Sequence, residues 1–488
     1  MSSRAIEGLK PELLWQRFEE ISNVPRPSKM ETKVREYLRN FAGSRKLEYK
    51  EDNVGNIVIK VPASKGFENA PVVVIQGHVD MVCEKNKGTN HDFENDPIKL
   101  IRDGEWIKAD GTTLGADNGI GVAAGLAVAD DNSFQHGPLE LLCTVDEETG
   151  LTGANNLQPG FIEGKILLNL DAEEDGAFYV GCCGGQDSMG VFKIESASRK
   201  PEFTSYKLLI GGLKGGHSGI DINTGRANAI KLMARLLSRF SFEFQISDFI
   251  GGSKRNAIPR EAEVSIFFDK KNEQTAKNEI ELFIADYLKE YKKNDGGLKI
   301  ELNPAGLNAD PVYSDAFTRK IVNTILSMQH GVAAMSPDIE GLVETSTNLA
   351  TVTKEGEFLR IGTSQRSSIE SAKHFVTSSV KAVFELAGAF EIVIGDGYPG
   401  WQPDMDSAIL KISKSIYKEM YKNEPEVKAI HAGLECGILG GKYPGLDMIA
   451  FGPTIQGAHS PDEKVHINDV NKFYELLKGI LSELAKKK

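Results

Sequence analysis

Three apolar runs early in the chain each stop at an acid or a histidine, and this repeat constrains the fold more than any other feature. "PVVVIQGHVD" ends on His78 and Asp80, "LELLCTVDEE" on Asp146, Glu147 and Glu148, and "ILLNLD" on Asp171. A short continuous apolar run is the mark of a strand buried on both faces. "GNIVIKVP" adds a further strand, and helical patterns precede it at about residues 10–22 and 29–42. The small residues of "GADNGIGVAAGLAVADD" suit a helix packed tightly on a sheet. Buried strands with intervening helices specify an α/β domain with a mostly parallel central sheet and helices on both faces.

At 488 residues the chain exceeds the span of one hydrophobic core, so at least two domains are expected. The character changes after "GCCGGQD". From 188 to 396, strands alternate with long helices such as "NAIKLMARLLSRF" and "NEQTAKNEIELFIADYLKEYKK", an α+β pattern. "GDGYPGWQPD" then punctuates a return to a helix near 405–421, the strand-like "LDMIAFGP" and a terminal helix from about 468. The reading is one domain made of 1–187 and 397–488, interrupted by an inserted α+β domain at 188–396.

The formal charge of -12 disfavours nucleic acid and anionic membrane as partners, since both reward basic patches. No apolar run of about 18 residues is present, so no membrane span is expected. The start lacks the apolar core and cleavage site of a signal peptide. The five cysteines, at 83, 143, 182, 183 and 436, are odd in number, scattered and without CxxC spacing. They argue for a reducing cytoplasm and against both a disulfide framework and a cysteine-bound structural zinc.

Residues two apart in a strand share a face, so His78 and Asp80 project together. Ligands collect at the carboxyl ends of strands in open α/β sheets. His78 and Asp80, Asp117 in its glycine turn, the Asp146–Glu148 run and Asp171 could therefore converge. Singly, each has a plain structural role: a satisfied polar strand end, a helix cap, a solvated turn. Together, one imidazole and several carboxylates without thiolates favour zinc or a similar ion such as Mn²⁺ or Co²⁺. So many acids in one cleft need cations to neutralise them, and a carboxylate can bridge two ions. His459, after an apolar strand and in a glycine-containing loop, offers a further donor.

"GHVDMV", "LGADNGIGVA", "DEETGLTGA", "NLD" and "GAHSPDE" resemble, in order and spacing, the motifs of the dinuclear zinc aminoacylase, carnosinase and carboxypeptidase-type metallopeptidases. "QGHVDMVCEKN", "GGLKGGHSGIDIN" and "HAGLECGIL" are similar to its branch of bacterial aminoacyl-histidine dipeptidases. The resemblance implies a catalytic domain and a smaller inserted lid that also forms a homodimer interface. It implies two metal ions, most readily zinc, with His78 and Asp171 on one, Glu148 and His459 on the other, and Asp117 bridging. Asp80 would orient His78, and Glu147 would be the general base toward a water activated by the ion pair. His217 in "GGHSG" would help stabilise the oxyanion, from its own chain or from a partner subunit. Asn256, Arg366 and Gly433 would border the pocket for the substrate's terminal carboxylate. His431 and Glu435 are left out as loop residues, and His466 fits the ligand motif less well than His459.

The implied activity is hydrolysis of Xaa-His dipeptides such as carnosine in the cytoplasm. A related deacylase, tripeptidase or carboxypeptidase shares the chemistry, and a metal-binding scaffold shares the fold. A nucleotide-binding protein has no support, because "GADNGIG" has neither a P-loop lysine nor GxGxxG.

Overall fold

The structure, a computed structural model, describes residues 5–306 and 311–487. The chain forms two compact units. The first comprises Met1–Gly181, Trp401–Ala429 and Leu434–Lys488, and the second Cys182–Gly400 and Ile430–Gly433.

The first unit is built on an eight-stranded sheet in the order Glu48–Glu51, Ile57–Val61, Leu139–Thr144, Val73–His78, Ile166–Asn169, Asp447–Ala450, Ala177–Cys182, Glu426–Ile430. The four strands from Leu139–Thr144 to Asp447–Ala450 run parallel. The flanks pair antiparallel, so the sheet is mixed. Every residue of Val73–His78 and Leu139–Thr144 is buried, as the unbroken apolar runs require. The helix Ala116–Asp130 is apolar all round, and its glycines let it lie close to the sheet. A Cβ at Gly121 would sit 2.5 Å from the Leu170 carbonyl oxygen. His78 stands opposite Thr144 in register, so the parallel strands end side by side. The residues that follow them, Asp80, Glu147, Glu148 and Asp171, therefore leave the sheet at one edge.

The second unit repeats one motif twice. Its first half is the strand Phe203–Gly211, helix Ala229–Leu237, strands Phe244–Gly251 and Ala262–Asp269, helix Glu273–Asp295 and strand Lys299–Pro304. Counted from one edge, these strands lie in the order fourth, first, third, second. The other half is the strand Gly184–Lys193, helix Asp315–Ser327, strands Val343–Glu355 and Phe358–Ser367, helix Glu370–Leu386 and strand Glu391–Ile394. Its strands continue the sheet as second, third, first, fourth. Both halves are βαββαβ units. They join along their second strands, where Gly251 pairs antiparallel with Val352. The first half is inserted whole between the first strand and first helix of the other. The helix Ala229–Leu237 is held at its start by the Asn228 side chain, which accepts from the Ile230 and Lys231 amides, and buries Ile230, Met233, Leu236 and Leu237 on the sheet.

Candidate metal centre

Five side chains meet at the carboxyl ends of the parallel strands of the first unit. His78 Nε2 lies 3.1 Å from Asp117 Oδ1 and 3.4 Å from Asp171 Oδ1. His459 Nε2 lies 3.1 Å from Asp117 Oδ2 and 3.0 Å from Glu148 Oε2. Asp117 thus turns one oxygen to each histidine. The donors fall into two groups, His78–Asp117–Asp171 and Asp117–Glu148–His459, each tight enough to surround a single cation. The Glu148 Oε1 atom is buried without a hydrogen-bond partner, an unsatisfied acceptor that a cation would satisfy. Imidazole and carboxylate donors without thiolate suit a divalent ion of the zinc type.

Local structure explains the placement. The chain leaves Leu139–Thr144 through Asp146, whose φ of 50° turns the backbone sharply so that Glu147 and Glu148 face back over the strand ends. Asp80 catches that turn, accepting from the Glu147 amide at 3.0 Å, the Glu148 amide at 3.2 Å and the Ser28 hydroxyl at 2.8 Å. The same carboxylate lies 3.3 Å from His78 Nδ1, leaving Nε2 to face Asp117 and Asp171. His459 sits on its loop at φ 62°, a conformation that side chains other than glycine adopt only when their surroundings hold them there.

The electrostatics show how strongly the centre attracts positive charge. Burial works to lower the pKa of His78, yet Asp171, Asp117 and Asp80 raise it well above the ordinary range. His459, hydrogen-bonded to Asp117 and Glu148, is pushed up to about 11. Burial works to raise Asp117, but the two histidines pull its carboxyl down. Burial pushes Asp171 up to about 8 despite His78. Glu147 is raised well above a normal carboxylate, mainly by burial and then by Asp171, Glu435 and Glu148, with His78 opposing.

A further group, Glu31, Asp80 and Asp146, is wholly buried. Its oxygens are already engaged: Glu31 by the Asp146 amide, Asp146 by the Thr149 and Thr152 hydroxyls, and Asp80 as above. It is scaffolding for the turn. His466, passed over in favour of His459, pairs with Asp469 at 2.9 Å and packs against Trp106.

The other predicted residues belong to the second unit. His217 Nδ1 accepts from the Gly219 and Ile220 amides, both at 3.2 Å, so the proton of the neutral ring sits on Nε2. Burial and then Arg366 lower its pKa, which keeps it neutral. Arg366, 7% exposed, donates to the Tyr398 hydroxyl at 3.1 Å. A Cβ on Gly433 would come within 2.9 Å of the Tyr398 ring, so His217, Arg366, Tyr398 and Gly433 share one neighbourhood. Asn256 is exposed and joins it through the backbone, its carbonyl accepting from the Ser218 amide at 2.9 Å.

Sequence reasoning missed three buried charges around the centre. Glu435, set aside as a loop residue, opens the helix Glu435–Lys442 and accepts from Gln76 at 2.6 Å and Thr144 at 2.7 Å, beneath the strand ends. Glu463 stood within the quoted "GAHSPDE" motif without a role. Arg26 lies in a segment that carries no motif. Only the first two had a signal, namely an acid within a glycine-containing, motif-like block.

A mixed α/β sheet with two carboxylate–imidazole groups at its strand ends is suited to metal-assisted hydrolysis. Residues 74–483 match peptidase family M20/M25/M40, and the chain belongs to it. Over 487 residues it is 40% identical to the cytosol non-specific dipeptidase of Escherichia coli (strain K12), with 99% of both chains covered. The crystal structure of aminoacylhistidine dipeptidase from Vibrio alginolyticus is similar over 98% of each chain, with a TM-score of 0.90 at 41% identity. The aminopeptidase PepT of Bacillus cereus shares the fold, with a TM-score of 0.58 at 17% identity over 98% of this chain and 100% of that one. Among the described residues, no helix is long and apolar enough to cross a membrane.

Proposed function

We propose that this chain is a metal-dependent dipeptidase of the cytoplasm, holding two divalent ions, most readily Zn²⁺ with Mn²⁺ or Co²⁺ as alternatives. The observation that carries this reading is Asp117, whose two oxygens each face one histidine-containing donor group. His78 and Asp171 would hold one ion, Glu148 and His459 the other, and Asp117 both. When bound, the ions supply Lewis acidity toward water and the scissile carbonyl. Glu147 takes a proton from the attacking water and returns it to the departing amine; burial raises its carboxyl well above the usual range, which favours its holding that proton between the two steps. Asp80 orients His78 and fixes the backbone of Glu147. His217, neutral with Nε2–H free to donate, is suited to the oxyanion. Arg366, with Gly433 and Asn256, would receive the terminal carboxylate and so limit substrates to very short peptides.

The likeness to the V. alginolyticus aminoacylhistidine dipeptidase and the E. coli non-specific dipeptidase supports dipeptides, including Xaa-His, as substrates. The second unit, expected over 188–396 and compact over Cys182–Gly400 with Ile430–Gly433, would serve as the lid. It would also form a homodimer interface. The exposed Phe375 and Leu386 of the helix Glu370–Leu386, at 75% and 90%, support such a surface.

The test is hydrolysis by the metal-stripped protein of β-alanyl-histidine, Gly-Gly and an N-acetyl amino acid, with and without Zn²⁺ or Mn²⁺. Cleavage of the free dipeptides only when metal is restored is expected. Cleavage of the N-acetyl compound alone would make it a deacylase, and no cleavage in any metal would make it a scaffold.

A further inference from the structure

Glu463 is buried to 2% exposure and touches none of the reacting groups, yet its carboxylate accepts four successive backbone amides. Oε2 takes those of Leu114 at 2.8 Å and Gly115 at 3.0 Å, and Oε1 takes those of Ala116 at 2.7 Å and Asp117 at 3.3 Å. This is the turn that presents Asp117. Glu463 itself lies four residues beyond His459, just before the strand Lys464–His466, which is pinned antiparallel to Trp106–Ala109. One carboxylate thus fastens the loop of one histidine to the turn of the shared aspartate.

The opposite side of the turn is held by Arg26, also fully buried. Its guanidinium donates to the Gly115 carbonyl at 2.5 Å and to the carbonyls of Val79 at 3.1 Å and Asp80 at 2.9 Å, directly after His78. Gly115 has φ +67°, and a Cβ there would meet the Met81 sulfur at 2.8 Å, so the peptide must pass between these side chains without one of its own. The turn is therefore clamped, with amides on a buried anion and a carbonyl on a buried cation. Hydrogen bonds from backbone amides to a carboxylate are about twice as strong as neutral ones, and four of them converge on Glu463.

We infer that Glu463 is a positioning residue that sets the distance between Asp117 Oδ2 and His459 Nε2, and so governs occupancy of the cation position on the His459 side. The inference rests on the two-ion reading above. In Glu463→Gln, the side-chain amide turns a donor toward two of the four N–H groups, so the turn and the His459 loop lose their common anchor. The His78 side, held by the strand Val73–His78 and by Arg26, keeps its geometry.

The experiment titrates the full-length, metal-stripped protein with Zn²⁺ against a chromophoric chelator. His459→Ala and His78→Ala assign the two binding steps. In Glu463→Gln the His459-side step should weaken by about 10–100-fold, as when outer partners of metal ligands are removed. The other step should stay within about threefold, and excess Zn²⁺ should restore kcat with KM little changed. Asp462→Asn, an equal change of charge at the exposed neighbouring residue, should leave both steps as in the wild type. Equal weakening of both steps in Glu463→Gln, or weakening of neither, overturns the inference. If that variant does not fold, Glu463→Asp keeps the charge but reaches fewer of the four amides, and the same selective loss is required of it. A wild type that binds fewer than two ions refutes the two-ion reading and this inference together. Two wild-type steps indifferent to Glu463 refute the inference alone.

Discussion

Replacing Asp80 with Asn changes one atom at the point where the centre is most tightly organised. The carboxylate has Glu147 N and His78 Nδ1 on Oδ1, at 3.0 and 3.3 Å, and Ser28 Oγ and Glu148 N on Oδ2, at 2.8 and 3.2 Å. The amide of Asn can keep its oxygen in only one of these places. With the oxygen toward Glu147 and His78, its NH₂ opposes the Glu148 amide, while the Ser28 hydroxyl can reverse and accept. With the oxygen toward Ser28 and Glu148, the NH₂ opposes two donors, so the first orientation should prevail. It leaves one partly buried backbone N–H unsatisfied, a cost of up to about 1–3 kcal/mol in the ion-free protein. It also removes the negative charge behind His78, and loss of such a partner weakens metal binding by about 10–100-fold. That corresponds to about 1.4–2.7 kcal/mol. Chelator competition with Zn²⁺ measures the second quantity, and thermal or urea unfolding of the stripped protein the first. Because the Glu147 turn hangs on the same carboxylate, kcat at saturating Zn²⁺ should also fall. A variant that binds Zn²⁺ within threefold of wild type and keeps its kcat would show that Asp80 does not organise the centre.

Glu147→Gln preserves shape and backbone, so it should retain its metal content while kcat falls by about 10²–10⁴-fold, the range for a lost general base; elemental analysis and steady-state kinetics check both. His459, held protonated to about 11 in the ion-free protein by Asp117 and Glu148, must lose its proton to bind metal. Apparent affinity should therefore rise with pH through the neutral range, by up to about a decade per unit for each proton displaced. Calorimetric titrations in buffers of different ionisation enthalpy should register the protons released, and identical heats would refute this. Gly433→Ala places a Cβ against the Tyr398 ring at 2.9 Å, and Tyr398 carries the hydroxyl that Arg366 contacts. KM for dipeptides should rise by about tenfold with kcat changed less, and unchanged kinetics would remove Gly433 from the pocket.

The convergence of the candidate ligands was legible because those residues sit where sequence pattern and sheet geometry coincide. Val73–His78 and Leu139–Thr144 are buried throughout, so any polar residue just past their ends is conspicuous. Their parallel register guarantees that those ends are neighbours. Asp117, by residue pattern alone a plain helix cap in a glycine turn, was given a bridging role only by the family resemblance; the start of the Ala116–Asp130 helix brings it between His78 and His459. Arg26 and Glu463 were illegible for a different reason: both act on the backbone of distant segments, and an amide or a carbonyl leaves no trace in a residue pattern. Glu435 was dismissed on local context, whereas its partners Gln76 and Thr144 lie far away in the chain. The repeat in the second unit was hidden by its own nesting. Its two copies are not consecutive, and only the strand order in the sheet exposes them.

That nesting dictates an order of events as the chain is made. The half from Phe203 to Pro304 is contiguous, so its sheet and both helices can close as soon as it has been synthesised. Gly184–Lys193 is made earlier, and it is buried along most of its length in the finished sheet. Its partners, Phe358–Ser367 and Glu391–Ile394, emerge only after that whole half and the helix Asp315–Ser327 have followed. Non-local pairing of this kind is slow and leaves apolar edges open to misassociation. On the ribosome, Gly184–Lys193 is therefore the strand of the second unit that waits longest for its partners, with its buried face uncovered and open to a holding chaperone.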